Sequence, residues 1–349
     1  MRTVYTDLLQ FRGSHYGFGK WQGELLRDSP ILPNRSKQWK KNSHNLIINE
    51  KQYREVIMRF APNIWDEIYG LSDSLKMPMS EAIRQFGGYY LQFRRSGCSI
   101  FTTNQFMIRN YDNHPRSYEG RIVLYQPSDG GYASIGPTMQ ITGRMDGINE
   151  KGLSMGYNFI NKRGSEDGFL CNMIGRLVLE LCADIDEAID LLEEIPHRMS
   201  FTYVLLDRTG RSVVVEASPR RVATREGNVC TNHFEELTEE NRYRMDDSKE
   251  REAAILSGEK DVVDFKTAFQ LMNDVEKGVF STKYGAWAGT IHTASYHPME
   301  LLAGFALGGN KRPVMIDFNK WVQGQDTNLL KIRGNIESEV PFVNMKMLV

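Results

Sequence analysis

A thiol follows a glycine at Gly97-Cys98, and the cluster Arg109-Asn110-Tyr111-Asp112 begins eleven residues beyond the cysteine. A cysteine attacks as its thiolate, so it needs positive charge nearby and a base to take its proton. Arg109 offers the charge. If the Gly97–Cys98 bond is cut, the new α-amine of Cys98 offers the base. Its pKa near ~8 lies close to the ~8.5 of a free thiol, which favours proton transfer directly or through one water. Asp112 would then bind and orient the amine. Glycine at 97 frees the backbone and opens its carbonyl to close approach by the sulfur. The residues before it, Arg94-Arg95-Ser96, are cationic and polar, an odd setting for a core cysteine.

Acyl transfer also needs donors for the negative charge that develops on oxygen. Asn158, in Tyr157-Asn158-Phe159, and Asn232, in Cys230-Thr231-Asn232-His233-Phe234, end apolar strand-like runs. A side-chain amide can donate to an oxyanion, although strand capping is the ordinary use of such residues. Arg242, in Asn241-Arg242-Tyr243-Arg244, reads by default as a solvated helix residue. The ordinary reading of Cys98 is inert core, and that of Arg109 with Asp112 a surface ion pair; burial separates the two readings. Gly152-Leu153-Ser154-Met155-Gly156 matches G-x-S-x-G, a motif that requires a strand, a turn and a helix, whereas GLSMGYNF reads as strand throughout. A serine hydrolase using Ser154 is therefore the rival enzyme, and a non-catalytic binding protein on the same scaffold the other alternative. The glycines at 17, 19 and 23 do not form a dinucleotide fingerprint, nor is Gly308-Gly309-Asn310-Lys311 a P-loop. The seven histidines show no ligand spacing, so neither metal nor cofactor is expected.

These groups need a scaffold to position them. Residues 1–97 read as helix-rich, with helical spacing over Tyr53–Tyr69 and Ser80–Gln92 and with Met79-Ser80-Glu81-Ala82 reading as an N-cap. From Cys98 onward short alternating runs predict strands at Ser99–Met107, Arg121–Gln126, Met139–Arg144 and Gly152–Phe159. Helices are expected at Cys171–Cys182 and Asp186–Glu194, the second ended by Pro196. A hairpin, Thr202–Asp207 with Ser212–Glu216, follows. A helix is then expected at Asp264–Asp274, and strands at Gly289–Tyr296 and Leu301–Leu307. Strands, helices and strands again imply an α+β protein with antiparallel sheets covered by helices. The shift at 97/98 divides the chain into a helix-rich segment, 1–97, and a catalytic domain, 98–349.

With 43 basic and 44 acidic residues among 349, the net charge is −1, which argues against nucleic acid or an anionic membrane as partner. No apolar run reaches the ~18 residues of a membrane helix, and the start MRTVYTDLLQF lacks the apolar stretch of a secretory signal. Cys98, Cys171, Cys182 and Cys230 form no C-x-x-C pair and are too sparse for a disulfide framework. Cytoplasm is the expected compartment. Cys171 and Cys182, in an apolar helical run, read as small buried hydrophobes.

Taken in order, these motifs resemble the acyl-CoA:6-aminopenicillanic acid acyltransferase group of autoproteolytic N-terminal-nucleophile enzymes, related to choloylglycine hydrolases and penicillin V acylases. The resemblance runs through Phe11-Arg12-Gly13-Ser14-His15-Tyr16-Gly17-Phe18-Gly19-Lys20-Trp21-Gln22-Gly23, Gly97-Cys98, Arg109-Asn110-x-Asp112, Gly147-Ile148-Asn149-Glu150-Lys151-Gly152-Leu153 with Asn158-Phe159, Thr231-Asn232-His233-Phe234 and Arg242-Tyr243. Ser99 stands where acyltransferases usually carry threonine. The resemblance implies a four-layer αββα sandwich with Cys98 at the end of a central strand. It makes Cys98 the nucleophile, Gly97-Cys98 the processing site, and Arg109 and Asp112 supports of its thiol and amine. Asn232 becomes the oxyanion donor, Asn158 a second candidate, and Arg242 a supporting charge. The implied enzyme is a cysteine amidohydrolase or acyltransferase acting on a small linear N-acyl amide or an acyl-CoA-type thioester. Acyl chain, hydrolysis against transfer, and homo-oligomer formation stay open.

Overall fold

A computed structural model describes residues 1–39, 48–89, 97–160, 164–242, 245–285 and 288–345. The chain opens with strand β1 (Arg2–Gly13), whose Val4, Thr6 and Leu8 alternate inward. Helices α1 (His15–Arg27), α2 (Ile31–Trp39), α3 (Glu50–Phe60), α4 (Pro62–Leu75) and α5 (Met79–Phe86) follow. Next come β2 (Ser99–Thr102), β3 (Met107–Asn113), β4 (Arg121–Pro127), β5 (Ser134–Met139), β6 (Gly143–Arg144), β7 (Asp146–Asn149) and β8 (Ser154–Phe159). Helices α6 (Cys171–Leu181) and α7 (Ile185–Glu194) lead to β9 (Phe201–Leu206), β10 (Ser212–Ala217), β11 (Val222–Arg225) and β12 (Val229–Cys230). The chain closes with α8 (Asp246–Glu259), α9 (Phe265–Asn273), β13 (Gly289–His297), β14 (Leu302–Leu307), β15 (Val314–Asp317), α10 (Phe318–Val322) and β16 (Lys331–Ile336).

Two sheets result. The larger runs β11-β10-β9-β8-β7-β5-β4-β1-β16, with β6 paired to β5, and the smaller runs β12-β2-β3-β13-β14-β15. Side-chain alternation sorts the residues of each strand into two layers. On β9, Tyr203 and Leu205 meet the helices, alongside Ile64, Ile68 and Phe86 from the N-terminal helices and Ile174 and Leu177 from α6. Val204 and Leu206 point the other way, into a core shared with Ile100, Met107, Tyr111, Ala294 and Phe305 of the smaller sheet. The outer face of that sheet, Phe101, Ile108 and Ala306, packs on Ile255 of α8 and Phe269 and Met272 of α9. Helices, sheet, sheet and helices make four layers, the αββα sandwich expected from the resemblance.

The start of the chain differs from its helix-rich expectation. Strand β1 lies between β4, to which it is parallel, and β16, to which it is antiparallel. Residues before Cys98 therefore supply an interior strand of the larger sheet as well as helices over it. In the opening motif, a Cβ at Gly19 would sit 1.9 Å from the Glu67 carbonyl oxygen, so glycine there permits the close crossing of α1 and α4. Between these helices and α6 runs a buried ionic chain. His15 lies 2.7 Å from both Asp129 and Glu180, and Arg176 reaches Glu180 at 2.6 Å and Glu67 at 3.0 Å.

Several boundaries also moved. Tyr53–Tyr69 is two helices, because Pro62 has no amide hydrogen to continue α3 and instead opens α4. Helix α5 starts at Met79 after Pro78, so Ser80 is not its cap. Residues 90–92 of the expected Ser80–Gln92 helix lie outside the described residues, as do Arg94, Arg95 and Ser96. The run Ser99–Met107 is a hairpin whose turn is closed by Thr103 N–H donating to Phe106 O. Met139–Arg144 is not one continuous strand but the end of β5, a tight turn and the two-residue β6. Gln140 and Ile141 take left-handed backbone angles (φ 57° and 70°), and the Ile141 amide donates to the Glu119 carboxylate at 3.0 Å. That turn is buried, so its apolar residues imitate a strand pattern.

Candidate active site

Register brings the candidate nucleophile and its partners together. Strand β12 pairs with β2 through Val229–Phe101 and Cys230–Ile100, and two further steps along the ladder place Asn232 opposite Cys98. The Cys98 N–H donates to Asn232 Oδ1 at 2.8 Å. On the other side β2 pairs with β3 through Ser99–Asn110 and Ile100–Arg109. Two more steps bring Gly97 beside Asp112, and the Gly97 N–H reaches the Asp112 carbonyl at 3.4 Å. Cys98 thus stands just before β2, an interior strand next to the edge of the smaller sheet, 1% exposed, with its side chain in the inter-sheet core.

Arg109 lies in the same core and is fully buried. Its Nη2 faces Cys98 Sγ at 3.4 Å and donates to the Tyr157 carbonyl at 2.5 Å, Nε joins that carbonyl at 3.2 Å, and Nη1 meets Asp146 Oδ2 at 2.5 Å. Space for this arm comes from Gly156 on β8: a Cβ there would lie 2.9 Å from Arg109 Cδ. Burial would lower the Arg109 pKa, but the negative charges available at Cys98 and Asp146 hold it above its ordinary value. The surface-pair reading of Arg109 with Asp112 therefore falls, since both are buried and each has its own partners.

Asp112 points to the opposite face of the sheet, where Thr290 Oγ1 donates to its carboxylate at 2.6 Å. Burial pushes its pKa up to about 7, against the pull of Arg251 and the Thr290 hydrogen bond. Arg251, on α8, is the residue that sequence reasoning missed. Its Nη1 donates to Cys98 O and Ser99 Oγ, both at 2.7 Å, its Nη2 donates to Asn232 Oδ1 at 2.8 Å, and its Nε pairs with Asp247 at 3.1 Å. With two donors aimed at Oδ1, the Asn232 amide nitrogen must face the other way, and it donates to Phe159 O at 2.8 Å. The Asn232 N–H donates to Ser248 Oγ at 2.7 Å, so α8 pins the Thr231-Asn232-His233 segment as well.

Asn158 and Arg242 take other places. Asn158 Nδ2 donates to Cys230 O at 3.0 Å, which ties β8 to β12 and holds the strand that delivers Asn232. Arg242 is half-buried ahead of α8, and among the described residues no hydrogen bond or ion pair joins it to Cys98, Asp112 or Asn232. Ser154 opens β8, with strand rather than helix after it, so the nucleophile-elbow geometry is missing. An open groove of about 950 Å³ lined by Thr102, Ser212 and Asn228 lies toward the far end of β2 from Cys98. Among the described residues no cluster of His, Cys, Asp and Glu is arranged to hold a metal, and no helix is long and apolar enough to cross a membrane.

A family model for acyl-coenzyme A:6-aminopenicillanic acid acyl-transferase matches residues 101–312. The chain belongs to this family. It is accordingly an enzyme of the acyltransferase and amidohydrolase class. The matched stretch of this acyl-transferase family member contains Arg109, Asp112, Asn158, Asn232, Arg242 and Arg251, and begins three residues beyond Cys98. No curated protein matches the chain. Among solved structures it is similar to a mutant conjugated bile acid hydrolase from Clostridium perfringens (16% identity, TM-score 0.45, 64% of this chain and 93% of that one). It is also similar to penicillin V acylase from Agrobacterium tumefaciens (16%, 0.42, 64% and 86%). A third is the Caenorhabditis elegans ortholog of N-acylethanolamine-hydrolyzing acid amidase (14%, 0.38, 58% and 93%).

Proposed function

We propose that this protein is a cysteine amidohydrolase or acyltransferase that cuts its own Gly97–Cys98 bond and then uses Cys98 on a small linear N-acyl amide or acyl thioester. One observation carries the reading. The nitrogen that would become the α-amine is held 2.8 Å from Asn232 Oδ1, while the sulfur of the same residue faces Arg109 Nη2 at 3.4 Å. In the processing step Sγ attacks the Gly97 carbonyl carbon, the C–N bond to Cys98 breaks, and the leaving nitrogen takes a proton to become an amine. Water then hydrolyses the thioester, giving the Gly97 carboxylate and a free thiol.

In turnover the α-amine takes the thiol proton, and the thiolate, facing the Arg109 guanidinium, attacks the acyl carbonyl. Asn232 Nδ2 has a second hydrogen beyond the one given to Phe159, and it supports the oxyanion role of that residue. The α-ammonium returns its proton to the leaving amine or thiolate, and water or a second amine then takes the acyl group from sulfur. Asp112 holds the α-ammonium, and Arg251 fixes the Cys98 carbonyl and Asn232. Cytoplasm remains the proposed compartment, on cysteine usage.

Intact-mass analysis of the purified protein with penicillin V or an acyl-coenzyme A as acyl donor tests the proposal. Two fragments meeting at 97/98, and an acyl adduct on the fragment beginning at Cys98, are expected. Adducts or turnover that survive Cys98→Ala would overturn it.

A further inference from the structure

We infer that Asp146 is a positioning residue that meters how much of the Arg109 charge reaches the Cys98 sulfur. The inference rests on Cys98 as nucleophile. Arg109 stands between two anions, the Asp146 carboxylate at 2.5 Å and the Cys98 thiolate position at 3.4 Å. One unit of positive charge serves both. The closer carboxylate takes the larger share and repels a thiolate one guanidinium width away.

Asp146 is itself held from two sides. Tyr296 Oη donates to Oδ1, and His292 Nε2 lies 3.7 Å from Oδ2. Both come from β13, whose ladder with β3 runs from Gly289–Asn113 to Tyr296–Met107 with a bulge between Thr290 and His292. Burial would raise the Asp146 pKa, but Arg109, His292 and Tyr296 hold it below its ordinary value, so the carboxylate stays charged.

The other titratable groups facing this pair are neutral. Burial raises Tyr111 from β3, Tyr157 from β8, Cys171 from α6 and Tyr118. Burial lowers His292, against the pull of Asp146. That leaves Asp146, Arg109 and the Cys98 sulfur as the charged groups on the inter-sheet face among the described residues; Arg251 and Asp112, whose carboxyl is pushed up to about 7, lie toward the opposite face and are common to every variant compared. Protonating His292 would draw Asp146 away from Arg109 and strengthen the pull on the thiolate.

The test is the pH dependence of Cys98 alkylation by iodoacetamide, followed by peptide mass on the purified full chain. This readout works whether or not the chain is cut. Asp146→Asn keeps an acceptor oxygen for Arg109 but removes the repelling charge, so the alkylation midpoint shifts to lower pH by about one to two units. Tyr296→Phe takes a donor from Asp146, concentrates its charge on Arg109, and shifts the midpoint the other way by about half a unit. A merely structural role would not move the two variants in opposite directions. An Asp146→Asn midpoint equal to that of the unsubstituted protein overturns the inference; if that variant does not fold, an unmoved Tyr296→Phe midpoint does so. Absence of 97/98 fragments from the unsubstituted protein would instead count against processing and leaves this readout intact.

Discussion

Replacing Arg251 by alanine tests the site as the structure arranges it. The side chain is 4% exposed and gives charge-assisted hydrogen bonds to Cys98 O, Ser99 Oγ and Asn232 Oδ1. Such bonds contribute about 1.5–3 kcal/mol each, and removing one partner of a buried charged pair costs about 3–5 kcal/mol. Asp247 would not be stranded, since Lys283 Nζ reaches its other oxygen at 2.6 Å. That places the stability loss near the lower end, about 3 kcal/mol. The functional effect is larger than stability suggests, because Asn232 Oδ1 loses its anchor and Cys98 its carbonyl clamp together. If two of the three bonds shape the transition state, about 3–4 kcal/mol is lost there, or roughly 100- to 1000-fold in the rate of cutting at 97/98. The assay is a time course of intact mass, with thermal unfolding measured alongside to confirm that the variant is folded. Arg251→Lys rescues little, because one ammonium cannot span Cys98 O and Asn232 Oδ1 as the forked guanidinium does. Arg242→Ala is the control and should process normally. A folded Arg251→Ala protein that processes at the unsubstituted rate would show that Arg251 does not shape the site.

Asp112 gives a pH signature. Its carboxyl titrates near pH 7 when folded and near 3.8 when free, so ionisation penalises the folded uncut chain and stability falls as pH rises from about 4 to 7. The gap of about three units bounds this loss at about 4 kcal/mol; in the uncut Cys98→Ala protein, adding Asp112→Asn should remove this contribution to the slope in denaturant unfolding, and an unchanged slope would contradict the assignment. His15 behaves in the opposite sense. Two carboxylates at 2.7 Å require both ring nitrogens to carry hydrogen, and the Glu180 bond and charge overcome burial to raise its pKa. Its stabilisation is present below about pH 6.5 and lost as pH rises through the raised value, so His15→Gln should flatten the fall of melting temperature in that range. Gly156→Ala would push on Arg109 Cδ and Ile100; a drop of at least tenfold in Cys98 alkylation is expected, and normal alkylation would show that the arm has room to move.

Much of the site was legible because β-pairing is local in its consequences. Cys98, Arg109 and Asp112 share one hairpin, and the alternation of that hairpin was visible in the sequence. Asn232 was found through its motif, although the distance between it and Cys98 follows only from the β12–β2 register. Arg251 escaped because the first part of α8, Asp246–Glu252, is almost entirely charged, so one buried arginine is masked among its charged neighbours. Its signal was the helical spacing of Ser248, Arg251 and Ile255, the buried residues of that helix. Asp146 was hidden in the short strand β7, which the buried turn before it obscured. Strand β1 was overlooked for a related reason. Its partners β4 and β16 lie more than a hundred residues away, and nothing local marks a strand that opens a run of helices.

The central claim is that Cys98 becomes an N-terminal nucleophile. The most direct measurement is intact mass, with N-terminal sequencing, of the purified protein and of its Cys98→Ala variant after the same incubation. Two fragments, 1–97 and 98–349, are expected from the first, with cysteine as the new N-terminus and both retained in one native particle because β1 is locked between β4 and β16. A single uncut chain is expected from the second. An unsubstituted protein that stays whole while turning over an acyl donor, or a Cys98→Ala protein that is cut at the same bond, would contradict it.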